Sequence, residues 1–317
     1  MNKLAMLLSC PFTAFGSMLL PRSRHQIVEA FASYFSVTEF PHYGAFLNAA
    51  GSPLKRERRT LVTIIQRPRQ DSPLDEVSTF VLKVYKYPFW PRIRTGFQIS
   101  KAEREFESLR YLNGLGIGAA QAVGYGVERS PFGLVRSCFI ITRFVDDSIN
   151  LSQWYSELER QKNPDLKKVE QVFTELGRIF RRLHQAHFFL FTAKSKNILL
   201  RHGPDIADEL FLIDIPYART LQWRLLARWA RARDIGVLFS NVSASLSGTV
   251  IELFYRAYLP DPLGLPSKTV RRHALGQMRA KQNRTPISRC VHEIKRRLVV
   301  KTNRLVGFLI FAELIYG

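Results

Sequence analysis

The apolar and polar positions of the chain change period about half-way along it. Thr60 to Ile65 is β-branched and bounded by charge and proline, and Thr79 to Tyr87 alternates; both predict strands, with the polar segment Gln66 to Glu76 as their loop. Pro88-Phe89-Trp90-Pro91 ends the second strand. Ala102, Phe106, Leu109 and Leu112 share one helical face, and Ser100 with Glu103 supplies a capping box at its start. Leu115-Gly116-Ile117-Gly118 closes that helix with glycines suited to a left-handed φ. Ala122 to Val127 and Cys138 to Phe144 predict two more strands. The period then becomes helical. Ser152 to Tyr155 reads as a short helix. Asn163 as N-cap and Pro164 at the first helical position open a long one. Its buried face runs through Val169, Val172, Phe173, Leu176, Ile179, Phe180 and Leu183, and His184 closes it as a packed, hydrogen-bonded histidine. Ahead of all this, Arg22 to Arg24 followed by Ile27, Ala30, Phe31 and Tyr34 predicts a short amphipathic helix.

The candidate chemistry follows the long helix. Asn197 precedes three aliphatic residues, a polar turn follows, and the apolar run Leu210 to Ile213 ends in Asp214. A strand, a turn and a second strand bring that amide and that carboxylate side by side. Hard divalent cations want oxygen ligands, and Mg²⁺ usually takes one or two of them from protein. Upstream, Lys83 sits among Val81, Leu82 and Val84. An amine inside an apolar strand is costly unless it meets an anion, although an edge strand can also turn a lysine to solvent. Glu105 lies beside the buried face of the capped helix, with Glu103 and Glu107 as competing choices of partner.

These residues, in this order, resemble the protein-kinase-like fold: Lys83, Glu105, Asn197, Asp214 and Asp234. Arg104-Glu105-Phe106-Glu107, Asn197-Ile198-Leu199 and Arg233-Asp234 are most similar to the bacterial lipopolysaccharide core kinases, the Kdo and heptose kinase family. The resemblance implies an α+β, two-lobed fold with a small β-rich N-lobe and a mostly helical C-lobe. It implies ATP and Mg²⁺ as cofactors, Lys83 held by Glu105 on the nucleotide phosphates, and Asn197 with Asp214 as the metal ligands. Asp234 would brace the catalytic loop and would open an apolar helix. Transfer would go to a sugar hydroxyl of lipopolysaccharide core or a related anionic glycolipid. No glycine triplet precedes Lys83; Gly51-Ser52-Pro53 and the basic run Lys55 to Arg59 stand in its place. One position departs from the family loop: five residues before Asn197, where the catalytic Asp belongs, stands Thr192, and the family's His falls on Leu190. A threonine cannot accept a proton as a carboxylate does. Lys194, two residues on, matches a lysine that contacts the transferred phosphate in several kinase-like enzymes. The rival reading is a pseudokinase scaffold that binds nucleotide, glycolipid or a partner enzyme.

Composition widens the picture to partners. The 317 residues carry a formal net charge of +21 and are 46% hydrophobic, which suits a sizeable core and an anionic partner. Cys10, Cys138 and Cys290 are too sparse for a disulfide framework and fit a reducing cytoplasm. No apolar run reaches transmembrane length. The apolar stretch before Cys10 is also too short for a signal peptide, so export is not expected. From Leu221 to Arg233 basic and aromatic residues interleave at helical spacing, suited either to an anionic surface or to a surface helix with packed tryptophans. Pro260 to Pro266 reads as a linker. Residues 268–304 are dense in Lys and Arg, and the apolar end Leu305 to Tyr316 follows. The expected organisation is a leader over 1–43, an N-lobe over 44–147, a C-lobe over 148–262 and a basic tail over 263–317. The expected place is the cytoplasm, peripheral at the inner membrane through basic helices. No motif supports nucleic acid as the partner, although the charge alone would allow it.

Overall fold

The computed structural model describes residues 23–259, apart from 37, 50, 58, 71–75, 89–94, 96–98, 162–164, 202–209 and 242–243; for 225, 241 and 244–248 it describes the backbone. The first 22 residues, Phe89 to Pro91, Asn163-Pro164, the Pro260 to Pro266 linker and the basic tail therefore lie outside the described residues.

The N-terminal lobe is one antiparallel sheet of six strands in the order β1-β5-β6-β4-β3-β2. These are β1 (Ser23–Ile27), β2 (Ser52–Glu57), β3 (Thr60–Pro68), β4 (Val77–Lys86), β5 (Ala122–Arg129) and β6 (Val135–Arg143). The four strands expected from the sequence are all present. Cross-strand pairing carries β3 three residues beyond its apolar run, Pro68 pairing with Val77 at the far end. The segment after Gly51, with Lys55 and Arg56 of the basic run, is itself a strand, its Glu57 pairing with Thr60 of β3.

Alternation along the strands gives the sheet two apolar faces. Phe80, Leu82, Val84, Phe139 and Ile141 point to one side, where Phe31, Tyr34, Phe35, Phe40, Tyr43 and Phe46 cover them. The rings of Tyr34 and Phe35 stand 5.3 and 5.1 Å from that of Phe80, the edge-on arrangement aromatic pairs favour. This corrects the amphipathic helix expected from Arg22 onward. Ser23 to Ile27 is instead an edge strand on β5, and Phe31 and Tyr34 belong to a 3₁₀ turn, Glu29–Tyr34. Gly124 makes room for that strand: a Cβ there would stand 2.6 Å from the Gln26 carbonyl. Helix α1 (Tyr43–Leu47) completes the aromatic layer. On the other face, Tyr85, Cys138 and Ile140 meet Ala102, Phe106, Leu109 and Leu112 of helix α2 (Lys101–Gly114). Its N-cap is Ser100, whose Oγ accepts from the Glu103 amide at 3.1 Å, and Gly116 takes the left-handed φ of +64° after its end.

The second lobe is mostly helical: α3 (Leu151–Arg160), α4 (Leu166–Gln185), α5 (Arg224–Leu238) and α6 (Ala244–Tyr258). Helix α4 starts later than its Asn-Pro signal predicts. Asp165 is its cap, accepting from the Lys168 amide at 3.1 Å, because an anionic oxygen satisfies an orphan N–H of the first turn. Helix α5 is continuous, so Asp234 does not open a helix but lies inside one, fully buried. Short strands carry the loops: β7 (Ser148–Asn150), β9 (Ile198–Arg201) and β10 (Leu210–Leu212) form one sheet, and β8 (Phe188–Phe189) pairs with β11 (Arg219–Thr220). One apolar cluster runs through α2, the inner face of the first sheet, α4 and α6, so the two lobes share a core. The lobes also share a parallel bridge, with the Leu212 amide donating to Gly118 O at 3.0 Å.

Candidate active site

Three elements distant in sequence converge where the lobes meet. Strand β4 turns Lys83 to the same face as Val81 and Tyr85, because side chains two apart share a face. Its ammonium donates to both oxygens of Glu105, at 3.2 and 3.3 Å, and to Oδ1 of Asp214. The competing acids go elsewhere: Glu103 pairs with Arg24 at 2.7 Å, and Glu107 is exposed. Sequence reasoning missed Tyr85, whose hydroxyl donates to Glu105 at 2.7 Å. The signal was available, since Tyr85 stands two residues past Lys83 on the same strand.

Burial is the strongest influence on Lys83 and acts to lower its pKa, but the carboxylates of Glu105 and Asp214 outweigh it and hold the amine above its ordinary value. Burial also pushes Glu105 up, and Lys83 offsets only part of that. The ammonium is the firmer half of the pair because it faces two carboxylates, while Glu105 faces one cation. Burial, then the neighbouring Glu105, pushes the Tyr85 phenol well up as well.

The loop after α4 is held from below. The carboxylate of Asp234 accepts the backbone amides of Leu190 and Phe191 at 2.8 and 2.7 Å. His184, fully buried, bonds the Tyr258 hydroxyl through Nδ1 at 2.8 Å, as a packed histidine should. Phe191 then takes a left-handed φ of +58°, and Thr192 follows, half-buried. The Thr192 hydroxyl donates toward Leu190 O and Asp214 O at 3.4 Å, and its own carbonyl accepts from Asn197 Nδ2 at 3.1 Å. Lys194 is half-buried two residues on, its amide turned back to Thr192 O.

Strands β9 and β10 pair Ile198 with Leu212, and Ile213 N donates to Asn197 O at 2.9 Å, which sets Asn197 beside Asp214. Asn197 Nδ2 bonds the Thr192 and Asp214 carbonyls, so the amide oxygen remains as its donor atom. Asp214, at φ +53°, keeps a carboxylate that is 45% exposed. An amide oxygen with a carboxylate is the donor set a hard divalent cation takes, and these residues fit Mg²⁺. Among the described residues no group of three or more His, Cys, Asp or Glu gathers to offer a different metal centre. Glu57, paired chiefly with Lys55, also feels the charges of Lys196 and Asp214.

The family model described as "Lipopolysaccharide kinase (Kdo/WaaP) family" matches residues 86–258. The chain belongs to the lipopolysaccharide kinase (Kdo/WaaP) family. A curated relative, the lipopolysaccharide core heptose(I) kinase WaaP of Escherichia coli, is 25% identical over 172 residues. That likeness covers 51% of this chain and 61% of the relative, so the chain spans about three fifths of that protein's length. A solved structure, WaaP in complex with acyl carrier protein, superposes with a TM-score of 0.56 at 17% identity, over 82% of this chain and 96% of that one. At that identity the likeness shows the fold: an antiparallel N-terminal sheet followed by a helical region, the α+β kinase-like arrangement. The span matched to the lipopolysaccharide kinases holds Glu105, Thr192, Lys194, Asn197, Asp214 and Asp234, and begins just after Lys83.

Two further cations near this candidate site make ring contacts that were not legible as sequence motifs. Lys101 at the start of α2 lies over the rings of Tyr85, Tyr87 and Tyr217, at 5.5, 5.9 and 5.4 Å, and so ties α2 to the segment after Asp214. Arg219 lies over the ring of Phe191 at 4.9 Å. Among the described residues no helix is long and apolar enough to cross a membrane.

Proposed function

We propose that this protein transfers the γ-phosphate of ATP to a sugar hydroxyl of lipopolysaccharide core or a related glycolipid. The observation that carries the reading is the convergence of Lys83, Glu105 and Asp214 across the two lobes. Lys83 would bind the nucleotide phosphates once Asp214 turns from it, with Glu105 and Tyr85 fixing the amine's position. Asn197 and Asp214 would hold Mg²⁺, which when bound neutralises charge on the phosphates. In the transfer the acceptor oxygen bonds to the γ-phosphorus, the bond from that phosphorus to the bridging oxygen breaks, the hydroxyl proton passes to solvent water, and ADP leaves. Such transfer needs mainly positioning and charge neutralisation, and in this reading Lys194 would supply the latter.

Thr192 takes the place of the catalytic Asp in this reading. The support is its setting: the two amides before it are braced by Asp234, and Asn197 ties back to its carbonyl. A hydroxyl can orient an acceptor but takes no proton at neutral pH. The lost base would lower the rate by about two to four powers of ten. The same residue favours the second reading, a pseudokinase that binds nucleotide, glycolipid or a partner enzyme without turnover.

Calorimetry with ATP, with and without Mg²⁺, tests the nucleotide site. Mg²⁺-dependent binding that Asp214→Ala abolishes supports it; no binding at millimolar ATP rejects it. Phosphate incorporation into core lipopolysaccharide by wild type and Thr192→Asp separates the two readings. Transfer that the acid raises marks a weakened kinase, and ATP binding without transfer in either protein marks a scaffold.

A further inference from the structure

Helix α5 carries two parallel stripes. Ala227, Ala230 and Asp234, spaced i, i+3, i+7, are buried against the loop and the core. Beside them Leu226 and Trp229 face outward, 41% and 44% exposed, and the half-buried Arg233 continues the same spacing. Trp223, the N-cap residue, is 63% exposed, and Arg224 and Arg228 are exposed alongside it. Large apolar side chains this open are costly on a surface that meets only water. Their neighbours are cationic. From Ile215 to Arg233 the chain has Arg219, Arg224, Arg228, Arg231 and Arg233 and no acid at all.

This face is continuous with the catalytic loop. Arg233 lies over the Trp229 ring at 5.4 Å, Trp229 stands 6.0 Å from Phe191, and Arg219 lies over Phe191 at 4.9 Å. Thr192 follows directly in the chain. A row of ring and guanidinium therefore runs from the exposed helix to Phe191, the residue before Thr192. Burial, and after it the positive charge of Arg104 on α2, pulls the Arg219 pKa down.

We propose that the outer face of α5, with Trp223, Leu226 and Trp229 inserted and Arg219, Arg224 and Arg228 on phosphate, is the surface by which the protein docks on an anionic phospholipid bilayer. The charge of the face selects that occupant: indoles settle at the headgroup level and arginines pair with lipid phosphate. The docking does not depend on phosphoryl transfer. Its use does rest on the kinase reading: the Phe191–Thr192 side of the cleft would then meet an acceptor held in the same membrane.

The test uses the full chain without nucleotide, in about 0.15 M salt. Flotation with phosphatidylglycerol–phosphatidylethanolamine vesicles should recover the protein, and phosphatidylcholine vesicles should not. Brominated acyl chains should quench tryptophan emission in wild type and lose most of that effect in Trp223→Phe/Trp229→Phe, which keeps the apolar face. An arginine at an anionic surface is worth about fivefold in partition, so Arg224→Glu/Arg228→Glu should bind at least about 25-fold more weakly. Both arginines are exposed, and an unchanged thermal midpoint would confirm that this variant is folded. Equal binding by the charge-reversed variant, or quenching that survives the double Phe change, would overturn the proposal and assign the binding to the basic tail. Binding to duplex DNA or to delipidated core oligosaccharide in place of vesicles would overturn it as well. Because ATP is absent, neither result bears on whether the nucleotide site works.

Discussion

The carboxylate of Asp234 accepts the backbone N–H of Leu190 at 2.8 Å and reaches the next amide, that of Phe191, at 2.7 Å. One side chain inside α5 thus fixes the two residues before Thr192. Both bonds are buried and charge-assisted, each worth about 1.5–3 kcal/mol. Asp234→Ala should cost about 3–5 kcal/mol in urea unfolding, and Asp234→Asn less, since an amide oxygen still accepts. An Asp234→Ala protein as stable as wild type would show that the loop does not depend on this brace.

Lys83 and Glu105 should couple strongly. Lys83→Met leaves Glu105 buried with only the Tyr85 hydroxyl as donor, and an unpaired buried charge costs about 3–5 kcal/mol. Lys83→Met/Glu105→Gln should recover much of that loss without recovering ATP affinity. A double-mutant cycle in chemical denaturation measures the coupling, and additive effects would deny it.

The protein should lose stability in alkali from about pH 10. Burial raises the Tyr85, Tyr87 and Tyr155 phenols above their ordinary value, and Lys83 is raised by its carboxylates after burial is outweighed. A raised folded-state pKa means the folded protein holds the proton longer than the unfolded chain. That contribution is complete below the unfolded value near 10 and is lost as pH climbs through the folded one. Thermal midpoints should fall above pH 10, with phenolate absorbance appearing as the protein unfolds. Tyr155 is a sharp probe, because among the described residues its buried hydroxyl has no hydrogen-bond partner. Tyr155→Phe should be neutral, or more stable by about 1 kcal/mol, near pH 7 and should flatten the alkaline fall. A steeper fall would contradict this.

Gly177 lets α4 and α6 approach closely. A Cβ there would stand 2.4 Å from the Phe254 carbonyl and 2.8 Å from the Ala257 Cβ. Gly177→Ala should therefore destabilise by about 1–3 kcal/mol despite alanine's better helix propensity. A rise in thermal midpoint would mean the helices can part at little cost.

Local pattern alone located most of the elements that carry the site. A β-branched run set out β3, alternation set out β4, and helical spacing set out α2 and α4. The order Lys83, Glu105, Asn197, Asp214, Asp234 pointed to the family. These features were legible because period, caps and strand ends are properties of neighbouring residues. Tertiary structure decided the rest. It chose Glu105, buried toward Lys83, over Glu103, which meets Arg24, and the exposed Glu107. It made a strand of Ser23 to Ile27, whose edge position against Gly124 leaves no buried face for alternation to mark. It put Asp234 inside α5, under the amides it braces. It also laid Arg219 on Phe191 and Phe191 beside Trp229, contacts between residues separated along the chain. A sequence records which groups are present and how they repeat, but which of them meet depends on how distant segments pack.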